Sequence, residues 1–278
     1  MKSIESCLHW AKQTLAGGES PALDARVLLC HCLDVSATYL MTWPDKPITQ
    51  KQWDQYQALI QKRKLGHPVA HLIGHRDFWT LNLEVTPDTL IPRPETELLV
   101  EQALALELPA HAHVLDLGTG TGAIALALAS ERPDLHIIGV DFNENAVALA
   151  KRNGVSNHLP QVQFLHSNWF ERVPTQKFDL IISNPPYVES DSPWLNEGDV
   201  RFEPLSALTS GEDGLDDIRH IVTCSLSYLT DTGIVMFEHG YQQGQAVRSI
   251  FTSSEYRDAQ TICDMNDLAR VTFAFKSH

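Results

Sequence analysis

The sequence predicts an α/β protein: a small helical bundle followed by a parallel sheet covered on both faces by helices. Three patterns lead there. Apolar residues recur at helical spacing through the first 75 residues, short apolar strands alternate with helices beyond residue 110, and two strand-like runs follow one another near the carboxy end. Strands joined through helices lie parallel, and a parallel sheet buries both faces. Two consecutive strands with no helix between them predict an antiparallel edge hairpin.

In the first region Ile4, Leu8, Ala11 and Leu15 form one stripe. A second helix begins in SPALDARVLLCHCL, where Ser20 and Pro21 stand as cap and first turn. A third, TQKQWDQYQALIQKRKL, runs from near Thr49 to just before Gly66. Residues 77–91, DFWTLNLEVTPDTLI, alternate in places and carry β-branched and aromatic residues, which predicts a short hairpin linker. Pro94 then opens a helix in PRPETELLVEQALAL, with Glu95 and Glu97 in the first turn, where carboxylates favour the dipole. The following elements read as strand HVLDLG, helix GAIALALASERP, strand HIIGVD, helix NENAVALAKRNG, and strands VQFLHS and FDLIISN. Helix LDDIRHIVTCSLSYL, strand GIVMFEHG, helix QQGQAVRSIF and strands near 258–264 and 270–275 complete the chain. The expected division is a helical domain over 1–75, a β-hairpin linker over 76–92 and an α/β domain over 93–278.

The chain has 278 residues, 43% of them hydrophobic, enough to bury a sizeable core. Asp and Glu number 35 against 21 Lys and Arg, a net charge of −14, which opposes unaided binding to a phosphate backbone. Only QKRK at 61–64 concentrates cations, and it reads as a solvated helix end suited to the dipole. The five cysteines, Cys7, Cys30, Cys32, Cys224 and Cys263, are odd in number and scattered, as in a reducing compartment. Cys30-His31-Cys32 has no second pair at zinc-ligand spacing, so no metal site is expected. The opening MKSIESCLHWAKQTL has Glu5 and His9 where a signal peptide needs an unbroken apolar run, and no 18-residue apolar stretch occurs. A soluble cytoplasmic protein, with no membrane contact, is expected.

VLDLGTGTGAIALAL places Gly118, Gly120 and Gly122, with Thr119 and Thr121 between them, at a strand-to-helix turn. In an open α/β sheet, ligands bind at the carboxyl ends of the strands, and glycines let the backbone approach them closely. Asp141 ends the next strand, where a carboxylate accepts both hydroxyls of a ribose. The glycine spacing alone also satisfies a looser dinucleotide pattern, since Ala123 follows. Asp116, just ahead of the glycines, tilts the reading: a carboxylate there meets a cationic amino-acid moiety and repels a pyrophosphate.

At the end of FDLIISN stands Asn184-Pro185-Pro186-Tyr187. The lone pair of an amide or exocyclic amine nitrogen is delocalised, so alkylating it requires help. An Asn184 side-chain oxygen and a Pro185 backbone carbonyl, each accepting one N–H, aim the lone pair at an incoming methyl group. The prolines hold those carbonyls rigidly, and Tyr187 packs on the planar group.

On these motifs, and on GHPVAHLIGHRDFWTLNLEVTPDTLIPRPETELLVE and FEPLSALTSGEDGLDDIRHI, the sequence resembles the S-adenosylmethionine-dependent methyltransferases. Within them it closely resembles the HemK/PrmC release-factor glutamine methyltransferases, over nearly the whole chain. The resemblance implies a seven-stranded Rossmann-like class I methyltransferase sheet behind a helical substrate-recognition domain. It also implies transfer of a methyl group from S-adenosyl-L-methionine, leaving S-adenosyl-L-homocysteine, to the Gln of the GGQ motif in class 1 peptide chain release factors. Gly118 to Gly122 would line the methionine and ribose, Asp141 would bind the ribose hydroxyls, and Trp169 would lie by the adenine. Asn184, adjoining the cofactor, would hold the substrate Gln with Pro185, Pro186 and Tyr187. Arg93, Glu95 and a lid containing Glu203 are further candidates for the cleft. The rival reading is amino methylation of adenine in nucleic acid, which poses the same planar-nitrogen problem. Charge and the lack of a separate basic reading domain oppose it. A dehydrogenase has no use for the Asn-Pro-Pro-Tyr run, and a non-catalytic partner subunit would tend to lack one of these motifs.

Overall fold

The computed structural model describes residues 2–277 and divides into two compact units. The first runs to His75 and takes in Asn196–Phe202. The second comprises Arg76–Leu195 and Glu203–His278.

The first unit contains α1 (Ile4–Thr14), α2 (Pro21–Leu33), α3 (Ala37–Thr42), α4 (Gln50–Lys64) and α5 (Val69–Ile73). Ser3 and Ser36 cap α1 and α3 through their side chains, and Thr49 with Gln52 forms a reciprocal capping box on α4. Ile4, Leu28, Leu29, Tyr56 and Ile60 fill the core, and Trp10 meets Trp53 edge-on at 4.8 Å. The short α3 and α5 escape the sequence reading, because five or six residues carry too little periodicity to register. Arg63, expected on a solvated helix end, is instead largely buried. Its guanidinium donates to Asp24 and to Asp199 at 2.7 Å each, and Phe202 packs on the His67 ring at 4.4 Å. Asn196–Phe202, distant in sequence, thus belongs to the helical unit.

From the last residue of the first unit the chain forms the hairpin β1 (His75–Phe78) and β2 (Leu81–Glu84), and α6 (Glu97–Ala105) follows in the second unit. The hairpin ends earlier than the sequence suggests. Residues 85–93 form no strand, and several of them border the cavity described below. Next come β3 (His113–Leu117), α7 (Ala123–Glu131), β4 (His136–Asp141), α8 (Glu144–Ser156), β5 (Gln163–His166) and β6 (Phe178–Ser183). The chain closes with α9 (Asp216–Ser225), β7 (Leu229–Glu238), α10 (Gly244–Thr252), β8 (Tyr256–Cys263) and β9 (Ala269–Lys276). Seven strands pair in the order β5-β4-β3-β6-β7-β9-β8, parallel except β9, which runs antiparallel to β7 and to β8.

Two apolar layers cover the sheet. One joins α6 and α7 to one face through Leu99, Leu126 and Leu180; the other joins α9 and α10 to the opposite face through Ile218, Val247 and Phe237. β3 and β6 are neighbours at the centre, with Leu117 paired to Ser183 and the Ser183 hydroxyl donating to the Leu117 carbonyl at 2.7 Å. That pairing brings the glycine turn after β3 beside Asn184 after β6. Chain order reverses across these two strands, where open α/β sheets hold their ligands.

Among the described residues, all five cysteines are free, no cluster of His, Cys, Asp and Glu is arranged to hold a metal ion, and no helix is long and apolar enough to cross a membrane.

Candidate active site

A cavity of about 300 Å³ lies at the carboxyl ends of β3, β4 and β6. Gly118, Thr119, Gly120, Thr121, Asp141, Trp169, Asn184 and Pro186 border it, as does Arg93. Asp116, Gly122, Pro185, Tyr187, Glu95 and Glu203 stand behind this lining or outside it.

The glycine turn is built from backbone that side chains resist. Gly118 has φ +68° and Gly120 +55°, and a Cβ on Gly118 would lie 3.6 Å from the Trp169 ring. Gly122, at +84°, is packed instead: a Cβ would come within 3.0 Å of Phe164 and 3.2 Å of Ala150. Its role is to let α7 sit against α8 and β5. The turn is held from outside by Asn153, buried on α8, whose amide donates to the Thr121 carbonyl at 2.9 Å and pairs with the Glu84 backbone in both directions. Nothing in the sequence marks Asn153, because a helical Asn is ordinary until its partners are known.

Asp141 is nearly buried, which raises its pKa, while backbone N–H groups oppose the shift. One carboxylate oxygen accepts from Gly120 N and the other from Asn143 N, each at 2.9 Å. Each oxygen keeps a lone pair, so the group can take two further hydroxyl donors side by side. Trp169 adopts φ +47°, and its carbonyl accepts from the Ser167 hydroxyl at 2.8 Å. Phe142, half exposed, borders the cavity beside Asp141.

Asp116 does not reach the cavity surface; it is fully buried under the glycine turn. Thr119 donates to its Oδ2 at 2.6 Å, and its Oδ1 has no hydrogen-bond partner. Burial lifts its pKa from the ordinary 3.8 to about 7, against bonds from Thr119 and the Ala125 backbone, with the Asp141 charge adding to the rise. An uncompensated buried carboxylate is what a cationic ligand group above the turn would stabilise. The sign of its stability effect follows. Above pH 4 the unfolded chain gives up a proton the folded chain retains, so stability falls as pH rises, with the full penalty present above about 7. The substitution Asp116→Asn is therefore expected to raise the apo-protein's Tm at pH 8 and to lose that advantage towards pH 5, measured by calorimetry.

Asn184 follows β6 directly. Its Nδ2 donates to the Thr96 hydroxyl at 3.1 Å, which orients the amide. Pro185 is buried, and Tyr187 is half-buried, its hydroxyl donating to Glu238 Oε1 at 3.2 Å. Its ring is therefore tied to the sheet and does not line the cavity. Gln243 donates to the Tyr187 carbonyl at 2.9 Å, and Gly214, at φ +73°, passes so close that a Cβ would clash with that carbonyl. Glu203 is buried without bordering the cavity. It accepts from Ile91 N at 2.9 Å and pairs with Arg93, bracing the stretch that contributes Thr89, Leu90, Pro92 and Arg93 to the cavity wall. Ser206 and Ala207, from the RFEPLSAL stretch, complete the wall with Asp217.

A largely parallel sheet with a glycine turn, a buried carboxylate at the end of the neighbouring strand and an Asn-Pro-Pro-Tyr exit defines a Rossmann-like methyltransferase. The Methyltransferase small domain family matches residues 94–195, and the PrmC N-terminal domain family matches residues 6–74. Release factor glutamine methyltransferases from Aliivibrio fischeri and Escherichia coli K12 are 48% and 47% identical to the chain. Alignment covers 97% and 95% of the chain and 96% of each relative. That from Pseudomonas aeruginosa is 47% identical over 96% of both sequences. The chain belongs to the release factor glutamine methyltransferase family. Solved structures give the same fold. A Pyrococcus furiosus methyltransferase superposes with a TM-score of 0.56 at 18% identity, over 80% of this chain and 98% of its own. A T. thermophilus 16S rRNA methyltransferase in complex with AdoMet and guanosine superposes at 0.52 with 23% identity, over 73% of this chain and 49% of its own.

Proposed function

We propose that the protein methylates the side-chain amide nitrogen of the GGQ glutamine in class 1 peptide chain release factors, with S-adenosyl-L-methionine as donor. The observation that carries the reading is the Asn184 amide, whose Nδ2 is engaged by Thr96, so that its Oδ1 is the atom left to accept a substrate N–H.

The residues around the cavity fit the donor. The Asp141 carboxylate would accept the two ribose hydroxyls, Trp169 and Phe142, which border the cavity, would flank the adenine, and the buried Asp116 carboxyl lies under the turn that would receive the amino-acid end. When bound, the cofactor supplies an electrophilic methyl group on a sulfonium sulfur. The substrate glutamine donates one N–H to Asn184 Oδ1 and the other to the Pro185 carbonyl, which turns its lone pair towards that methyl carbon. Held by Asn184 and the Pro185 carbonyl, the nitrogen would become acidic on alkylation and could pass its proton to water. No strong base is needed. Positioning supplies the rate, an effect worth roughly 7–11 kcal/mol in favourable systems.

The helical unit is assigned to substrate recognition, and a translation factor as substrate places the enzyme in the cytoplasm. The test is transfer of methyl label in parallel to a release factor carrying GGQ, to the same factor carrying GGA, and to adenine-containing DNA. Label on the GGQ protein alone is the expected result; label on DNA alone would establish the adenine reading instead.

A further inference from the structure

β2 pairs with β1 on one side only, and its free edge is met by two asparagines four residues apart, Asn153 on α8 and Asn157 just past the helix end. Alternate strand residues turn both backbone groups to the same edge, so Asn82 and Glu84 present matching N–H and C=O pairs there. Asn157 Oδ1 accepts from Asn82 N at 3.1 Å, and its Nδ2 donates to the Asn82 carbonyl at 3.0 Å. Asn153 repeats the pattern on Glu84, at 2.7 and 3.0 Å. Each amide therefore has a settled orientation, and each Nδ2 keeps one further proton. In Asn157 that proton goes to the helix's own Asn153 carbonyl at 2.9 Å; in Asn153 it goes to the Thr121 carbonyl of the glycine turn, also at 2.9 Å. Of two side chains that grip the hairpin alike, one also grips the cavity wall, to which Thr121 belongs.

We propose that Asn153 is a positioning residue for the cofactor: the hairpin backbone sets its amide, and the amide sets the Thr121 peptide in the turn that receives the donor. The inference rests on the cofactor reading given above. Thr121 lies between Gly120, whose N–H is given to Asp141, and Gly122, whose N–H closes the turn on the Thr119 carbonyl at 2.8 Å. A residue with glycine on both sides has little local stiffness, so a fixed donor on its carbonyl limits the orientations the turn samples before the ligand arrives. Restricting them in advance lowers the ordering cost of binding, and the gain is read as affinity. Asn153 is 1% exposed, so no water takes its place readily and its loss leaves the Thr121 carbonyl without a partner in the interior. Glu84 itself does not border the cavity; the hairpin's hold on the turn runs through this one amide.

The test titrates S-adenosyl-L-methionine by calorimetry into full-length wild type, Asn153→Ala, Asn153→Asp and Asn157→Ala. An ionised Asp keeps the size of Asn and the acceptor for Glu84 N but has no proton for Thr121. We expect both Asn153 variants to raise Kd about tenfold, the scale of one lost hydrogen bond. Asn157→Ala should leave Kd within about twofold, although it too releases the hairpin edge and lowers Tm. An equal rise in Asn157→Ala would assign the effect to hairpin packing and overturn the proposal, as would an unchanged Kd in either Asn153 variant. If the Asn153 variants do not fold, hydrogen exchange in the wild-type protein decides. Coupling is reciprocal, so saturating cofactor should slow exchange of the Glu84 amide about tenfold more than that of amides in β8 and β9, which do not border the cavity. No slowing at Glu84, or the same slowing in both places, would overturn the proposal. A wild type that binds no S-adenosyl-L-methionine would defeat the cofactor reading and the inference with it, whereas binding with these responses absent defeats the inference alone.

Discussion

Replacing Asn184 with Ala is expected to lower kcat by about 10²–10³-fold while leaving cofactor Kd within about twofold, the scale seen when one preorganised hydrogen-bonding group is removed from a reacting centre. The asymmetry is the informative part. Asn184 borders the cavity with its side chain tethered to Thr96, whereas Asp141 is held by the Gly120 and Asn143 backbone, so the two share no hydrogen-bond partner. The bond Asn184 offers matters once the substrate nitrogen begins to pyramidalise, because the planar amide has little lone pair to aim. Such a bond contributes more to the transition state than to the ground state, so its loss appears in kcat. Stopped-flow or single-turnover methyl transfer with saturating cofactor, alongside calorimetric cofactor titration, separates the two quantities. A parallel loss of cofactor affinity would show that Asn184 serves mainly as cofactor wall.

How much of this was legible beforehand divides along a physical line. The glycine turn, Asp141 and the Asn-Pro-Pro-Tyr exit are local: each is a short run whose backbone demands or donor chemistry are visible without knowing what lies opposite. The strand-helix alternation set the parallel sheet for the same reason, since a 3.6 or 2 residue period is a property of the segment alone. Thr96, Asn153, Glu203 and Glu238 are different. Thr96 meets Asn184 across 88 positions, Glu203 meets Arg93 across 110, and Asn153 meets Glu84 across 69. None of these polar residues is unusual where it stands. Arg63 shows the converse: its run looks like a solvated helix end until Asp24 and Asp199 are seen at 2.7 Å. Asp116 stands out by type, yet its placement beneath the turn depends on the Thr119 bond and on burial that only the packed sheet provides.

The substitution Asp141→Asn should act on binding first. Asp141 offers a lone pair on each oxygen beyond the bonds it accepts from Gly120 and Asn143. With Asn, one oxygen becomes an NH₂ that cannot accept, so one backbone donor or one ribose hydroxyl loses its partner and the negative charge disappears. A hydrogen bond to a charged group is worth about 1.5–3 kcal/mol, so cofactor Kd should weaken by about 10–150-fold. The Asn184 amide is oriented by Thr96, independently of Asp141, so kcat at saturating cofactor should change by less than about threefold. Asp141→Ala goes further, since Gly120 N and Asn143 N both lose their acceptor, and the glycine turn should loosen enough to lower the apo-protein's Tm. Calorimetric titration of the cofactor, its product and a ribose-lacking analogue makes the attribution specific. The Asn variant should lose affinity for the two ribose-bearing ligands and not for the analogue, and an equal loss for all three would move the role of Asp141 from the ribose to the turn.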